Sequence, residues 1–207
     1  MQPHSRNPVV LIHGIDDTHA IFWRMMPYLE QRGWETHGLD LYPNNGSSGL
    51  DVLAKQVADY VEATFAPDRP IDLVGFSMGG IVSRYYVQRL GGIKRVQRFI
   101  TIASPHCGTL TAYIRSNKGG NQMCPKSLFL NDLNQDMQML EQINFTSIWT
   151  PWDAMILPAK SSQIPVGKDL QVWVPAHAWM VTDPRAIKAV AATLAEPLRT
   201  PVTSQVF

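Results

Sequence analysis

Ile71-Asp72-Leu73-Val74-Gly75-Phe76-Ser77-Met78-Gly79-Gly80-Ile81-Val82 is the stretch on which the reading of this chain turns. Ile71 to Gly75 is a short, mostly apolar run of the kind shown by a strand covered on both faces. Past Ser77, the residues Ile81, Val82, Tyr85, Tyr86 and Leu90 recur at helical spacing until Gly91-Gly92 stops them. Between strand and helix, Gly75-Phe76-Ser77-Met78-Gly79 matches G-x-S-x-G in the context that the motif requires. Glycines on either side of the serine remove side chains that would clash in a sharp turn, so the hydroxyl can stand clear of the backbone. The helix that follows aims its free N–H groups and the positive end of its dipole at any negative charge that develops beside that hydroxyl. Ser77 is therefore a candidate nucleophile, and Met78 N–H a candidate oxyanion donor.

Outward from this turn, strands and helices alternate. Val9-Val10-Leu11-Ile12 is a second buried-strand pattern, ending at His13-Gly14, where the backbone can turn and leave Ile15 N–H as the second oxyanion donor. His13 reads as a structural hydrogen-bonding group, and His13, Gly14 and His106 are placed on the substrate-facing side of the site. Residues 18–31 carry Phe22, Met25, Met26 and Leu29 at helical spacing, with Pro27 expected to kink or delimit the helix. A strand over His37 to Tyr42 and a turn-rich loop from Asn44 to Gly49 lead to a helix marked by Leu53, Val57, Val61 and Phe65. Further strands are expected over Phe99–Ala103, Thr146–Thr150 and Leu170–Val174. The last helix has Asp183 as N-cap and Pro184 at its first position. This order implies an α/β fold, a mostly parallel sheet of about six strands with helices on both faces and function at the carboxyl ends of the strands.

A serine nucleophile needs a base, and in this kind of fold the acid and then the histidine follow it along the chain. Only His106 and His177 follow Ser77. His177 lies in Val174-Pro175-Ala176-His177-Ala178-Trp179, between the final strand and the last helix, and is the expected base. His106 ends an earlier strand in Ser104-Pro105-His106-Cys107-Gly108 and is expected to shape the pocket floor or bond the backbone. Ser104 has Pro105 after it and no flanking glycines, so it does not compete with Ser77. Asp153, just past a strand and one strand before His177, is the expected acid, accepting Nδ1–H of the imidazole. Asp132 and Asp136 have apolar neighbours in a helix or loop and read as a solvated face.

The length of 207 residues suits one domain over residues 1–207. A content of 45% hydrophobic and 17% charged residues argues against disorder, and a net charge of +1 with scattered Lys and Arg argues against nucleic acid. No apolar run reaches the roughly 18 residues of a transmembrane segment, and residues 1–8 lack the pattern of a secretory signal, so the expected location is cytoplasmic. Two cysteines, Cys107 and Cys124, do not make a zinc pattern, and two reduced thiols are the simpler expectation than a disulfide. The chemistry assigned to Ser77 needs no metal and no cofactor.

The chain resembles small bacterial lipases of the α/β-hydrolase superfamily, especially the compact type. The likeness is carried by Val10-Leu11-Ile12-His13-Gly14-Ile15, by Val74-Gly75-Phe76-Ser77-Met78-Gly79-Gly80, by Ser104-Pro105-His106-Cys107-Gly108-Thr109 and by the segments around Asp153 and His177. It implies a minimal α/β-hydrolase fold with the first strand between the second and third, a Ser77–Asp153–His177 triad with Ile15 and Met78 at the oxyanion hole, and carboxylic-ester substrates with acyl chains. The about forty residues from Pro105 to Asn144 depart from the smallest members; Leu110, Tyr113, Ile114, Leu128 and Met137 suit either a cap over the acyl pocket, with peripheral contact to a lipid surface, or helices packed on the domain. The same triad would equally serve a thioesterase, a phospholipase or galactolipase, or an acyltransferase, and a hydrolase scaffold can also serve as a non-catalytic binding protein.

Overall fold

The computed structural model describes residues 6–199. Six strands, β1 (Val9–Ile12), β2 (Thr36–Leu39), β3 (Ile71–Phe76), β4 (Val96–Ile102), β5 (Asn144–Trp149) and β6 (Lys168–Gln171), form one sheet in the order β2-β1-β3-β4-β5-β6. Every neighbouring pair is parallel. The first strand lies between the second and third, as expected, and the fold class is α/β with an all-parallel sheet.

Burial follows position in the sheet. β1 and β3 are buried at every residue, whereas β2 and β6, at the two edges, are half-buried or exposed. Alternation within the strands divides the core in two. Val10, Ile12, Leu73, Phe99 and Phe145 face one layer, with α2 (Leu50–Thr64) and α3 (Met78–Arg89). Val9, Leu11, Val74, Phe76 and Ile100 face the other, with α1 (Met25–Glu30) and α6 (Pro184–Leu194). Helices on both faces of the sheet place the loops that follow β1, β3, β5 and β6 together at its carboxyl edge.

Several boundaries differ from the sequence reading, β4 beginning at Val96 rather than Phe99 and β5 at Asn144 rather than Thr146 among them. The helix expected over residues 18–31 is a 3₁₀ turn, His19–Phe22, capped by Thr18, followed by α1. Pro27 falls in the first turn of α1, where a missing N–H breaks no intrahelical bond, so it delimits rather than kinks. β2 ends at Leu39, three residues short of the expected Tyr42, and β6 starts at Lys168 rather than Leu170. An edge strand bonds one neighbour only, so its apolar residues do not mark its ends; Val174 is buried against the α6 layer after the ladder has finished. Asp132 and Asp136, on and just after α5 (Leu128–Gln135), are not merely solvated: both pair with Arg89 near the end of α3, at 2.9 and 2.7 Å. Asp183 caps α6 as expected, accepting from Arg185 N–H. No helix among the described residues is long and apolar enough to cross a membrane.

Candidate active site

Ser77 sits between the end of β3 and the start of α3 with φ 52° and ψ −121°, a left-handed conformation that costs a non-glycine residue about 1 kcal/mol or more. Close packing imposes it. A Cβ on Gly79 would lie 2.3 Å from the carbonyl oxygens of Ile12 and His13, and one on Gly75 would lie 2.5 Å from Gly80 Cα. Strand β1, the turn and the helix therefore approach to backbone contact, which only glycine permits. Ser77 N–H donates to Ile102 O at 2.8 Å, tying the turn to β4.

The two backbone N–H groups expected at the oxyanion hole lie on the elements next to Ser77. Met78 is the first residue of α3, where N–H groups have no intrahelical acceptor. Ile15 follows Gly14 in the loop after β1, and its N–H finds no acceptor among the described residues. The next residue, Asp16, has φ 60°, donates its N–H to Asn44 O at 2.9 Å and pairs through its side chain with Arg115.

Asp153 follows β5 and is buried, its side chain 2% exposed. One carboxylate oxygen accepts from the N–H groups of Met155 and Ile156, each at 2.8 Å. The other lies 2.7 Å from His177 Nδ1. With both backbone donors on one oxygen, the second is left to accept, so the hydrogen-bond network assigns the proton to Nδ1 and leaves Nε2 as a lone-pair base. The imidazole rests against Phe76, ring centroids 4.9 Å apart, at the start of a 3₁₀ turn, His177–Val181.

Ser77 and His177 line the same cavity, of about 520 Å³, within the usual range for a small-molecule site. No hydrogen bond joins them in this structure; such contacts commonly tighten only with substrate bound. The walls are mainly apolar, with Ile15, Ile21, Phe76, Ile114, Met123 and Ile156 among them. Polar groups come from Asp16, Asp17, Thr109, Thr111 and Arg115.

His13, Gly14 and His106, placed on the substrate-facing side by sequence, are not among the cavity-lining residues. His13 is fully buried; Nδ1 pairs with Gly14 O at 2.7 Å and Nε2 accepts from Leu41 N–H at 2.9 Å, so it braces the β1 loop against the chain after β2. Gly14 lies beneath Ser77: a Cβ there would be 3.2 Å from Ser77 Cβ. His106 is fully buried, bonded through Nε2 to Thr101 Oγ1 at 2.9 Å, and burial, with the nearby Arg84 charge, holds it well below the usual histidine pKa. Cys107 and Cys124 are both free, the first exposed and the second buried.

The segment after Pro105 divides. Thr109, Thr111, Ala112, Ile114 and Arg115 wall the cavity, whereas Leu130, Leu133 and Leu140 enter the core. Sequence reasoning missed Asp16, Asp17 and Arg115. The adjacent acids right after the Ile15 loop were a usable signal for the first two; Arg115 reaches the site from a hundred residues away and had none. Among the described residues, no cluster of three or more His, Cys, Asp or Glu is placed to hold a metal ion.

Comparison with known proteins agrees with this architecture. Over 126 residues the chain is 27% identical to "Probable oxidoreductase EphD" of Mycobacterium tuberculosis, a match covering 54% of this chain and 20% of that protein. Over 111 residues it is 30% identical to the lysosomal thioesterase PPT2 of Mus musculus, covering 50% of this chain and 35% of that protein. The chain thus spans a third or so of the length of these relatives at most. The crystal structure of Bacillus licheniformis lipase BlEst2 in mature form has the same fold, with a TM-score of 0.76 over 94% of both chains at 14% identity. A family model described as alpha/beta hydrolase fold matches residues 7–171, all six strands, and ends shortly before His177. The chain belongs to the α/β-hydrolase fold family.

Proposed function

We propose that the protein is a serine hydrolase of acyl esters in which Ser77 is the nucleophile, His177 the general base and Asp153 the residue that orients it. The observation that carries this reading is the meeting, in one apolar cavity, of a serine in a left-handed strand-to-helix turn and an imidazole whose Nδ1 is bonded to a buried carboxylate.

Ser77 Oγ attacks the ester carbonyl carbon as His177 Nε2 takes its proton. The carbonyl oxygen becomes an oxyanion between Ile15 and Met78 N–H, a pair in which each donor is worth about 2.7–4 kcal/mol. Asp153 keeps the tautomer and stabilises the imidazolium without accepting its proton. The C–O bond breaks, Nε2–H protonates the departing alcohol, and Ser77 is left acylated. Water then attacks the acyl carbon, losing a proton to His177, and the carboxylic acid leaves with Ser77 restored.

The acyl chain lies against the apolar walls, with residues 105–144 read as an insertion in a single domain whose first part caps the cavity. Exposed Leu110, Tyr113 and Ile114 on this part suit contact with a lipid surface. Faster turnover of aggregated than of monomeric ester is the expected result, and equal rates refute the cap. A thioester substrate is the second reading, favoured by the partial match to a protein named as a thioesterase. Hydrolysis of oxygen esters and thioesters with the same acyl chain, from two to sixteen carbons, separates the two. Higher kcat/KM for the oxygen esters supports the first reading, and preference for the thioesters replaces it with the second.

A further inference from the structure

Asp16 and Asp17 are adjacent acids on the loop that carries Ile15, yet their surroundings differ. Asp16, in the left-handed region at φ 60°, lines the cavity but is neutralised by Arg115. That pairing also consumes the cavity's arginine, so no free guanidinium faces a ligand. Asp17 has no such pairing. Its carboxylate lies 3.0 Å from the place a Gly14 Cβ would take, a point also 3.2 Å from Ser77 Cβ, so it stands one side chain away from the nucleophile.

Among the described residues, the Asp17 carboxylate has neither hydrogen-bond partner nor ion pair. It is not a helix cap: Thr18 caps the turn that follows, and the His19 N–H goes to Asp40 at 2.6 Å. Only its backbone is fixed, through Asn44 Nδ2 donating to Asp17 O at 2.8 Å. Burial in the cavity wall raises its pKa, while the nearby His13 and His177 pull it down. A half-buried carboxylate held without a partner beside apolar walls loses hydration and gains nothing from the fold, a cost of the kind sites bear for a ligand.

We propose that Asp17 is a specificity subsite, receiving a cationic ammonium group that the substrate carries within a few bonds of the scissile ester and disfavouring anionic esters. Among the described residues lining the cavity, Asp17 is the carboxylate without a salt bridge, since Asp16 and Arg115 pair with each other. At this range in a partly desolvated site, a unit charge changes the relative binding of cation, neutral and anion by roughly tenfold or more. The inference rests on the ester-hydrolase reading for its kinetic assay but not for its binding assay.

The test compares kcat/KM for butyrylcholine, its uncharged isostere 3,3-dimethylbutyl butyrate and an ester of matched length ending in carboxylate, with wild type and Asp17→Asn. Ratios between substrates are read, because any effect of Asp17 on the basicity of His177 acts on all three alike. The expected result is a cation-to-neutral ratio that falls about tenfold in Asp17→Asn and an anion-to-neutral ratio that rises by a similar factor. Unchanged ratios overturn the proposal. If wild type turns over none of the three, the hydrolase reading is tested separately by the oxygen-ester and thioester series above. Calorimetric binding of butyrylcholine to Ser77→Ala, with and without Asp17→Asn, then decides: weaker binding in the double variant supports the subsite and equal binding refutes it. The melting temperature gives a further readout. Relief of an unpartnered charge keeps it level or raises it, whereas a clear fall shows a structural role and overturns the proposal.

Discussion

Replacing Asp153 with asparagine changes one atom and should disable the site through its hydrogen bonds alone. In the native arrangement one carboxylate oxygen receives both the Met155 and the Ile156 N–H at 2.8 Å, and the other receives Nδ1–H of His177 at 2.7 Å. An asparagine must keep its carbonyl oxygen toward the two N–H donors, since turning its amide there would oppose donor to donor. Its NH₂ then faces His177 and needs an acceptor, which forces the proton from Nδ1 to Nε2. Imidazole in that tautomer cannot take a proton from Ser77. The expected loss in kcat near neutral pH is about 10⁴-fold, equivalent to about 5.4 kcal/mol in the barrier, with KM little changed. Stability should scarcely move, because the buried N–H groups stay satisfied. Asp153→Ala supplies the control: it strands those donors, and leaving a buried one unsatisfied costs about 1–3 kcal/mol on unfolding in urea. Steady-state ester hydrolysis gives the first effect, and the ¹⁵N shifts of His177 report the tautomer directly. An asparagine variant retaining activity within tenfold of wild type, with Nδ1 still protonated, would show that Asp153 does not set the tautomer of His177.

Two further perturbations separate packing from ionisation. Gly79→Ala drives a Cβ to 2.3 Å from two backbone carbonyls that cannot move independently of β1, whereas Gly91→Ala, with φ 81° and nothing within 4 Å, meets only backbone strain. Urea unfolding should show a loss of about 3 kcal/mol for the first and about 1–2 for the second; equal losses would contradict the close approach of helix and strand. His106 is buried neutral, its folded pKa lowered by burial and then by Arg84, so below its ordinary value of 6.5 the unfolded chain binds a proton that the folded chain does not. Stability present above that value is lost as pH falls, by about 2 kcal/mol between pH 7 and 5 from this residue. His106→Gln should flatten the dependence over that window in urea titrations, and an unaltered slope would show that His106 takes up its proton in the fold.

Much of the fold was legible because one signal repeated. Short apolar runs at Val9–Ile12 and Ile71–Phe76 belong to central strands, covered on both faces, so hydrophobicity alone marks them. Thr36–Leu39 and Lys168–Gln171 lie at the sheet edges, partly open to solvent, and there the apolar pattern drifted from the true boundaries, as it did at the start of Val96–Ile102, where Gln97 and Arg98 are polar and only half-buried. Ser77 announced itself through its glycines, because a backbone constraint is written in sequence. His177 and Asp153 were reached by their order along the chain, and the structure places them 2.7 Å apart from 24 positions away. Cavity walls are harder to read. His13 and His106 carry ring nitrogens that suit a site, but fully buried rings satisfy or suppress them inside the fold, whereas Asp17 and Arg115 acquire their setting only when distant loops meet. Tertiary contact, not local pattern, decides which polar side chains face the cavity.

The proposed role of the Ser77 hydroxyl as nucleophile can be tested with a fluorophosphonate without knowing the substrate. Intact-mass and peptide mapping of the folded protein after exposure should find one adduct, on Ser77, absent from Ser77→Ala and slowed by the same order as hydrolysis in Asp153→Asn. A folded wild type left unlabelled, or labelled equally in Ser77→Ala, would show that Ser77 is not the nucleophile.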